Sequence, residues 1–161
     1  MAQSVQQAPF NVVLIEPEIP QNTGNIARTC AITGAVLHLV EPMGFRLSSK
    51  QLSRSGCDYW EDVEIVRWPS AAAFFEAHGN DELHLFTGKT TKRMEEAAYN
   101  LGCYLLFGRE SRGIDQEYLD SYRESCVRIP MRPHERSLNL SNAVAIASYE
   151  ALRQNGYPGL E

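Results

Sequence analysis

Three stretches of the chain gather hydrogen-bonding side chains at spacings that could do chemistry: EPEIPQNTGNIAR (16–28), GRESRG (108–113) and IPMRPHERSLNLSN (129–142). In the first, Asn25 and Arg28 stand three apart, which makes them neighbours on a helix. Asn22 and Thr29 fall on their side of the wheel. Ile26, Ala27, Cys30 and Ala31 share the other, with Ile32 as the exception. Amides beside a guanidinium hint at a site. The same pattern fits an ordinary amphipathic helix, capped by Asn22 or Thr23 and ended by Gly34.

GRESRG is easier to define by exclusion. Its glycines have the spacing of a phosphate-cradling loop, but Ile114 and Asp115 stand where lysine and serine or threonine are required. A GxSxG nucleophile elbow would need glycine where Arg109 stands. No GxGxxG occurs anywhere, which argues against a dinucleotide site of the Rossmann kind. Two readings remain, a glycine-bearing turn whose charges face water or a functional loop.

In the third stretch, Pro130 and Pro133 fix φ and remove donors on the way into a helix. Ser137, Asn139 or Ser141 can cap that helix, and one cap needs only one of them. From Leu138 to Tyr149 no side chain is charged. Leu140, Val144, Ala147 and Ala151 make one face, and Ala143, Ala145 and Ile146 make the others apolar too. Such a helix is expected to be buried on all sides, one of them against a second subunit. Capping leaves its surplus of polar groups unexplained.

The elements that must position these loops are short apolar runs: FNVVLI (10–15), AVLHLV (35–40), VEIVRW (63–68), LHLFT (83–87), CYLLFG (103–108) and CVRIP (126–130). Each has strand length and β-rich composition. Helix-like segments such as SAAAFFEAHG (70–79) and DQEYLDSYRE (115–124) alternate with them. The alternation predicts an α/β domain with a mainly parallel sheet flanked by helices. Loops beyond the carboxyl ends of such strands are where ligands bind, and all three polar stretches lie there. Residues 1–9 read as a loose leader, with a single domain over 10–161.

Composition narrows the classes further. Hydrophobic residues make up 43% of the 161 and charged residues 22%, enough apolar material for one core. A net charge of −5 argues against a surface that grips nucleic acid everywhere, yet Arg128, Arg132 and Arg136 form a local basic run. The same run also reads as a solvated loop. No apolar stretch nears the roughly 18 residues of a membrane span, and MAQSVQQAPF lacks the features of a signal peptide, so a cytoplasmic protein is expected. Cys30, Cys57, Cys103 and Cys126 include no CxxC pair and read as buried free thiols. The four histidines lack metal-ligand spacing, His38 and His84 falling inside strands. No metal is expected.

Taken together, NTGNIAR (22–28), FGRESRG (107–113) and IPMRPHERSLNLSNAVAIASYEALR (129–153) resemble the SPOUT superfamily, in particular its SpoU branch of RNA ribose 2′-O-methyltransferases. Order and spacing agree from about Asn11 to Pro158. EPEIPQNTGN, EPMGF (41–45) and the final NGYPG are similar to its compact TrmL type, which methylates the wobble nucleotide ribose of certain leucine tRNAs. The resemblance implies a C-terminal trefoil knot, which general topology rules would forbid, and a homodimer with the knot at its interface. It also implies S-adenosyl-L-methionine as cofactor, contacted at Phe86, Gly108, Ile129 and Ser137. Phe86 departs from the leucine often seen there, both being apolar.

By the same resemblance Asn22, Arg28, Glu110, Ser137 and Asn139 occupy the catalytic positions. Arg28 is either the base or, given a pKa above about 12, a grip on the adjoining phosphate that stabilises alkoxide character. No separate RNA-binding domain is expected, so the tRNA anticodon region would lie on the dimer surface. Arg132, Arg136, Arg112, Arg54 and Lys92 are candidate phosphate contacts, and Tyr149 matches a position tied to RNA recognition. Two alternatives stand beside this reading: a SpoU enzyme acting on another tRNA or rRNA position, and a non-catalytic RNA- or nucleotide-binding protein.

Overall fold

The computed structural model describes residues 7–47 and 60–161. Six strands form one parallel sheet: β1 Phe10–Ile15, β2 Val36–Val40, β3 Ile65–Trp68, β4 Leu83–Phe86, β5 Cys103–Phe107 and β6 Cys126–Val127. Their order is β3-β2-β1-β5-β4-β6. The chain winds outward from β1 to one edge and then fills the other side. The order therefore switches between β1 and β5, where a crevice opens at the carboxyl ends. Val12 pairs with Leu37 on one side and Leu105 on the other, so β1 is the spine of the sheet.

Among the described residues four helices cover it: α1 Pro20–Thr33, α2 Ala71–His78, α3 Gln116–Ser121 and α4 Leu140–Gln154. Alternation along β1 divides the core in two. Phe10, Val12 and Leu14 pack with Ile26, Ala27 and Cys30 of α1 and with Val144, Ala147 and Ala151 of α4. Val13 and Ile15 face the other way, onto Phe74 and Phe75 of α2 and Leu119 of α3. Among the described residues no helix is long and apolar enough to cross a membrane.

Several expectations need correction. α1 begins at Pro20, two residues before the caps foreseen, and has no side-chain cap of its own. Proline lacks the N–H that would be orphaned there and has its φ already set, so it suits the first helical position. Thr23 is fully buried, and Asn22, placed on the polar face by the wheel, is only 5% exposed. CVRIP contributes two residues of strand rather than five, and the 115–124 helix is six residues long, followed by a 3-10 turn at Arg123–Ser125. In the protomer Ile146 and Tyr149 are exposed on α4, the helix expected to meet a second subunit on one side, so they contradict nothing in that expectation. Cys30, Cys103 and Cys126 are buried free thiols as expected, and burial pushes the thiols of Cys30 and Cys103 up to about 12. Cys57 lies outside the described residues.

His38, buried in β2, holds one edge of the sheet together. The Trp68 indole, a donor only, gives its hydrogen to His38 Nδ1 at 3.0 Å. The ring proton therefore sits on Nε2 and is donated to Asn11 Oδ1 at 3.0 Å. Burial, aided by His78, lowers the His38 pKa to about 4. Between about 6.5 and 4 the unfolded chain binds a proton that the folded protein refuses. Folding stability is accordingly full above pH 6.5 and drains away as pH falls toward 4, by on the order of 3 kcal/mol for this group. Urea unfolding followed across that range is expected to show the loss, and His38→Gln is expected to flatten it.

Candidate active site

At the switch point a cavity of about 530 Å³ opens among the loops after β1, β4, β5 and β6. Its size is that of a small-molecule or cofactor site. Phe86 and Phe107, stacked with centroids 4.8 Å apart, give it an apolar floor.

The loop after β5 is shaped by its glycines. A Cβ on Gly108 would lie 2.0 Å from the carbonyl carbon of Gly113, a backbone atom that cannot move aside. Only glycine fits. The loop closes through Gly113 N–H to Arg109 O at 2.8 Å, with Gly113 at φ +70°. Arg109, largely buried, ties it to the first loop by pairing with Glu16 and, at 2.8 Å, with Asp115. Glu16 sits at φ 54°, a conformation that non-glycine residues hold only when their surroundings impose it.

Glu110 then does for α1 what the helix cannot do for itself. Its Oε2 accepts the Glu18 N–H at 2.8 Å, and Oε1 accepts the Ile19 N–H at 3.1 Å and the Asn22 amide at 3.3 Å. A carboxylate at a helix N-terminus satisfies orphan donors and complements the dipole. Glu18 reciprocates, accepting the Ser111 N–H at 3.1 Å and its hydroxyl at 2.7 Å. The first two loops are thereby clamped from both sides.

The third loop joins through Asn139, the cap that α4 uses out of the three on offer. Asn139 Oδ1 accepts Ser141 N–H at 2.9 Å and Asn142 N–H at 3.4 Å, while its Nδ2 donates to Asn22 Oδ1 at 3.0 Å. Glu110, Asn22 and Asn139 thus form one hydrogen-bonded line across three loops. Their bonds fix both amide orientations.

The residues singled out in the sequence divide into two groups. Asn22, Glu110, Ser137 and Asn139 line the cavity, as do Phe86, Gly108, Ile129 and Arg112. Arg28 lies on the exposed side of α1 and is not among the cavity's lining residues. Arg132 and Arg136 are exposed on the segment leading to α4, Tyr149 is exposed on α4, and Lys92 donates to the Glu124 carbonyl at 3.3 Å. Arg54 lies outside the described residues.

Lining residues that sequence reasoning missed include Lys89 and Arg128. Lys89 belongs to the loop after β4, TGKTT (87–91), which obeys the same carboxyl-end rule as the three loops singled out. Arg128, noticed only as part of a basic run, reaches into that loop with its guanidinium on Thr90 O at 3.3 Å. Folding also assembles what spacing hid at the opposite end of the sheet. Ligand-type atoms of Glu82, His84 and Cys103 lie within 4.8 Å of one another, with Glu82 already hydrogen-bonded to His84 and Asn100.

Truncating Glu110 leaves two backbone N–H groups at the entry of α1 without their acceptor. Glu110→Ala is expected to destabilise the fold by about 1–3 kcal/mol, read from urea unfolding, with faster amide exchange at Ile19.

Known proteins resemble this chain in sequence and fold. The model of the SpoU rRNA methylase family matches residues 9–149. A tRNA (cytidine(34)-2′-O)-methyltransferase of Escherichia coli K12 is 50% identical over 151 residues, spanning 93% of this chain and 96% of that one. A structure solved for the 2′-OH methylation of C/U34 on tRNA superposes with a TM-score of 0.85 at 46% identity, covering 91% of this chain and 96% of the other. An AdoMet-bound rRNA methyltransferase from Sinorhizobium meliloti gives 0.81 at 25% identity, covering 92% of this chain and 57% of its own.

Proposed function

The chain belongs to the SpoU methylase family, and on that premise we propose that it transfers a methyl group from S-adenosylmethionine to the ribose 2′-oxygen of the wobble nucleotide of tRNA, with leucine isoacceptors as substrates. The observation that carries this reading is the Glu110–Asn22–Asn139 line, which brings three separate loops to one cavity wall. The names of the relatives point the same way.

The cavity suits the cofactor. Phe86, Ile129 and Leu138 offer apolar surface for an adenine ring, and the folded-back loop at Gly108 presents backbone amides and carbonyls. When bound, S-adenosylmethionine supplies a methyl group on a sulfonium, ready for in-line displacement. The work left to the protein is alignment of the 2′-oxygen and removal of its proton.

Asn139 Nδ2 uses one hydrogen on Asn22 and keeps a second for the ribose oxygen. The Ser137 hydroxyl, at the same wall, orients the sugar. Glu110 is a positioning residue in this scheme, because its carboxylate is taken up by the entry of α1. Arg28, outside the cavity lining of the protomer, reaches the substrate in the homodimer, where it grips the phosphate and stabilises alkoxide character as the proton leaves.

The functional unit we assign is a homodimer with a trefoil-knotted C-terminal segment. Exposed Ile146 and Tyr149 on α4 and Ile32 on α1 support an apolar interface. Arg128, whose N–H bonds Lys92 O at 2.9 Å and whose carbonyl accepts Met94 N–H at 2.8 Å, supports a chain passing closely against the β4 loop.

Incubating the protein with S-adenosylmethionine and leucine tRNA transcripts, then reading nuclease digests by mass spectrometry, is expected to place one methyl on the ribose of nucleotide 34. A methyl elsewhere, or none, overturns the assignment. Arg28→Ala is expected to cut kcat by about 100-fold or more while cofactor affinity changes little. Ile146→Asp is expected to shift the sedimenting species toward monomer.

A further inference from the structure

A second concavity, of about 460 Å³, adjoins the first, and Thr87, Gly88, Lys89 and Arg128 line both. Its remaining walls come from Thr90 and Thr91, from Gln116, Leu119 and Asp120 of α3, and from Arg123 and Cys126 beyond it. Three cations, Lys89, Arg123 and Arg128, stand there against one carboxylate, Asp120, in a chain whose net charge is −5. The local sign is opposite to that of the whole molecule.

These cations are not consumed by internal pairing. Lys89 Nζ gives one hydrogen to Gln116 Oε1 at 3.2 Å, and Arg128 gives one to Thr90 O at 3.3 Å, so both retain donors. Arg123 approaches Asp120 only to 3.6 Å, with side chains 77% and 55% exposed, a pairing of little strength in water. The Thr87 hydroxyl accepts the Lys89 N–H at 3.2 Å and so bends the loop that carries the lysine between the two hollows. Cations interleaved with threonine hydroxyls suit a compact anion with many acceptor oxygens, and a phosphate is that anion.

We infer that this second concavity, joined to the first through Lys89 and Arg128, is a phosphate subsite that holds a backbone phosphodiester of the RNA substrate beside the nucleotide whose ribose enters the first cavity. The inference rests on the proposed function for the identity of the RNA. Arg123 is its most telling residue, since it lines only the second hollow and lies outside the machinery assigned above.

The test measures binding of a leucine tRNA transcript over a series of KCl concentrations, with cofactor affinity followed separately. Arg123→Ala is expected to weaken tRNA binding about 3- to 10-fold at low salt and to flatten the log–log salt slope by about 0.7, the value for one single-strand phosphate contact. Arg123→Glu is expected to weaken it further, and cofactor affinity is expected to stay unchanged in both. Arg67→Ala is the charge-matched control, because Arg67 is exposed and paired with Glu41 on β3, at the opposite edge of the sheet from β6.

Unchanged tRNA affinity and slope in Arg123→Ala overturn the subsite. Equal losses in Arg123→Ala and Arg67→Ala also overturn it, reducing the effect to diffuse charge. Calorimetry with pyrophosphate separates the other source of the same chemistry: pyrophosphate binding lost in Arg123→Ala with tRNA binding intact would make the hollow a free-anion site and overturn the RNA assignment. Wild-type protein that binds the tRNA with the expected Arg123 dependence but transfers no methyl refutes the proposed activity and leaves the phosphate subsite standing.

Discussion

A single carboxylate organises the functional end of this molecule. α1 starts at a proline and has no side-chain cap of its own, so the backbone N–H groups of Glu18 and Ile19 at its entry take their acceptor from elsewhere. Glu110 supplies it and in the same gesture takes hold of Asn22. Together with the Glu18–Ser111 and Arg109–Glu16 contacts, it fixes the first loop against the second. With it, Asn22 presents its oxygen to Asn139, and the N-terminus of α4 is drawn to the same wall. Each bond is modest, about 1 kcal/mol net, or up to about 3 where a charge is involved. Their value lies in linking three loops whose residues are far apart in the chain.

The contact depends in turn on steric allowance. The loop bearing Glu110 folds back on itself so tightly that Gly108 has no room for a side chain, and Arg109 anchors its flank to Glu16 and Asp115. The parallel sheet sets the frame. Because β1 and β5 are neighbours, the loops that follow them leave from adjacent strand ends, and the crevice between them is a consequence of strand order. The core divides cleanly on the two sides of β1, which leaves the carboxyl ends free for polar work.

Much of this was legible in the residues. Apolar runs of strand length separated by helical segments gave the sheet and its parallel sense, and the carboxyl-end rule picked out loops that do line the cavity. Asn22, Glu110, Ser137 and Asn139 could be named from motif resemblance, and all four line the cavity. What stayed hidden has physical reasons. The burial of Asn22 and its tie to Glu110 did not show on the wheel, which cannot register a half-buried acceptor 88 residues away. The wheel also could not foretell that Pro20 would start the helix early. Lys89 escaped because its loop has an unremarkable composition. The exposure of Ile146 and Tyr149 stayed hidden as well, since an apolar pattern does not tell a covered helix face from an open one.

The distance in sequence between α1 and its acceptor has a further meaning for how the protein comes into being. As the chain leaves the ribosome, the first helix emerges some ninety residues before the group that completes its entry. A nascent N-terminal half can pair β1 with β2, but the helix beside them stays unfinished at its head. Only when the fifth strand has docked, and then the last helix, does the pocket acquire a wall. Shortened products of interrupted synthesis are therefore built without the means to hold a ligand.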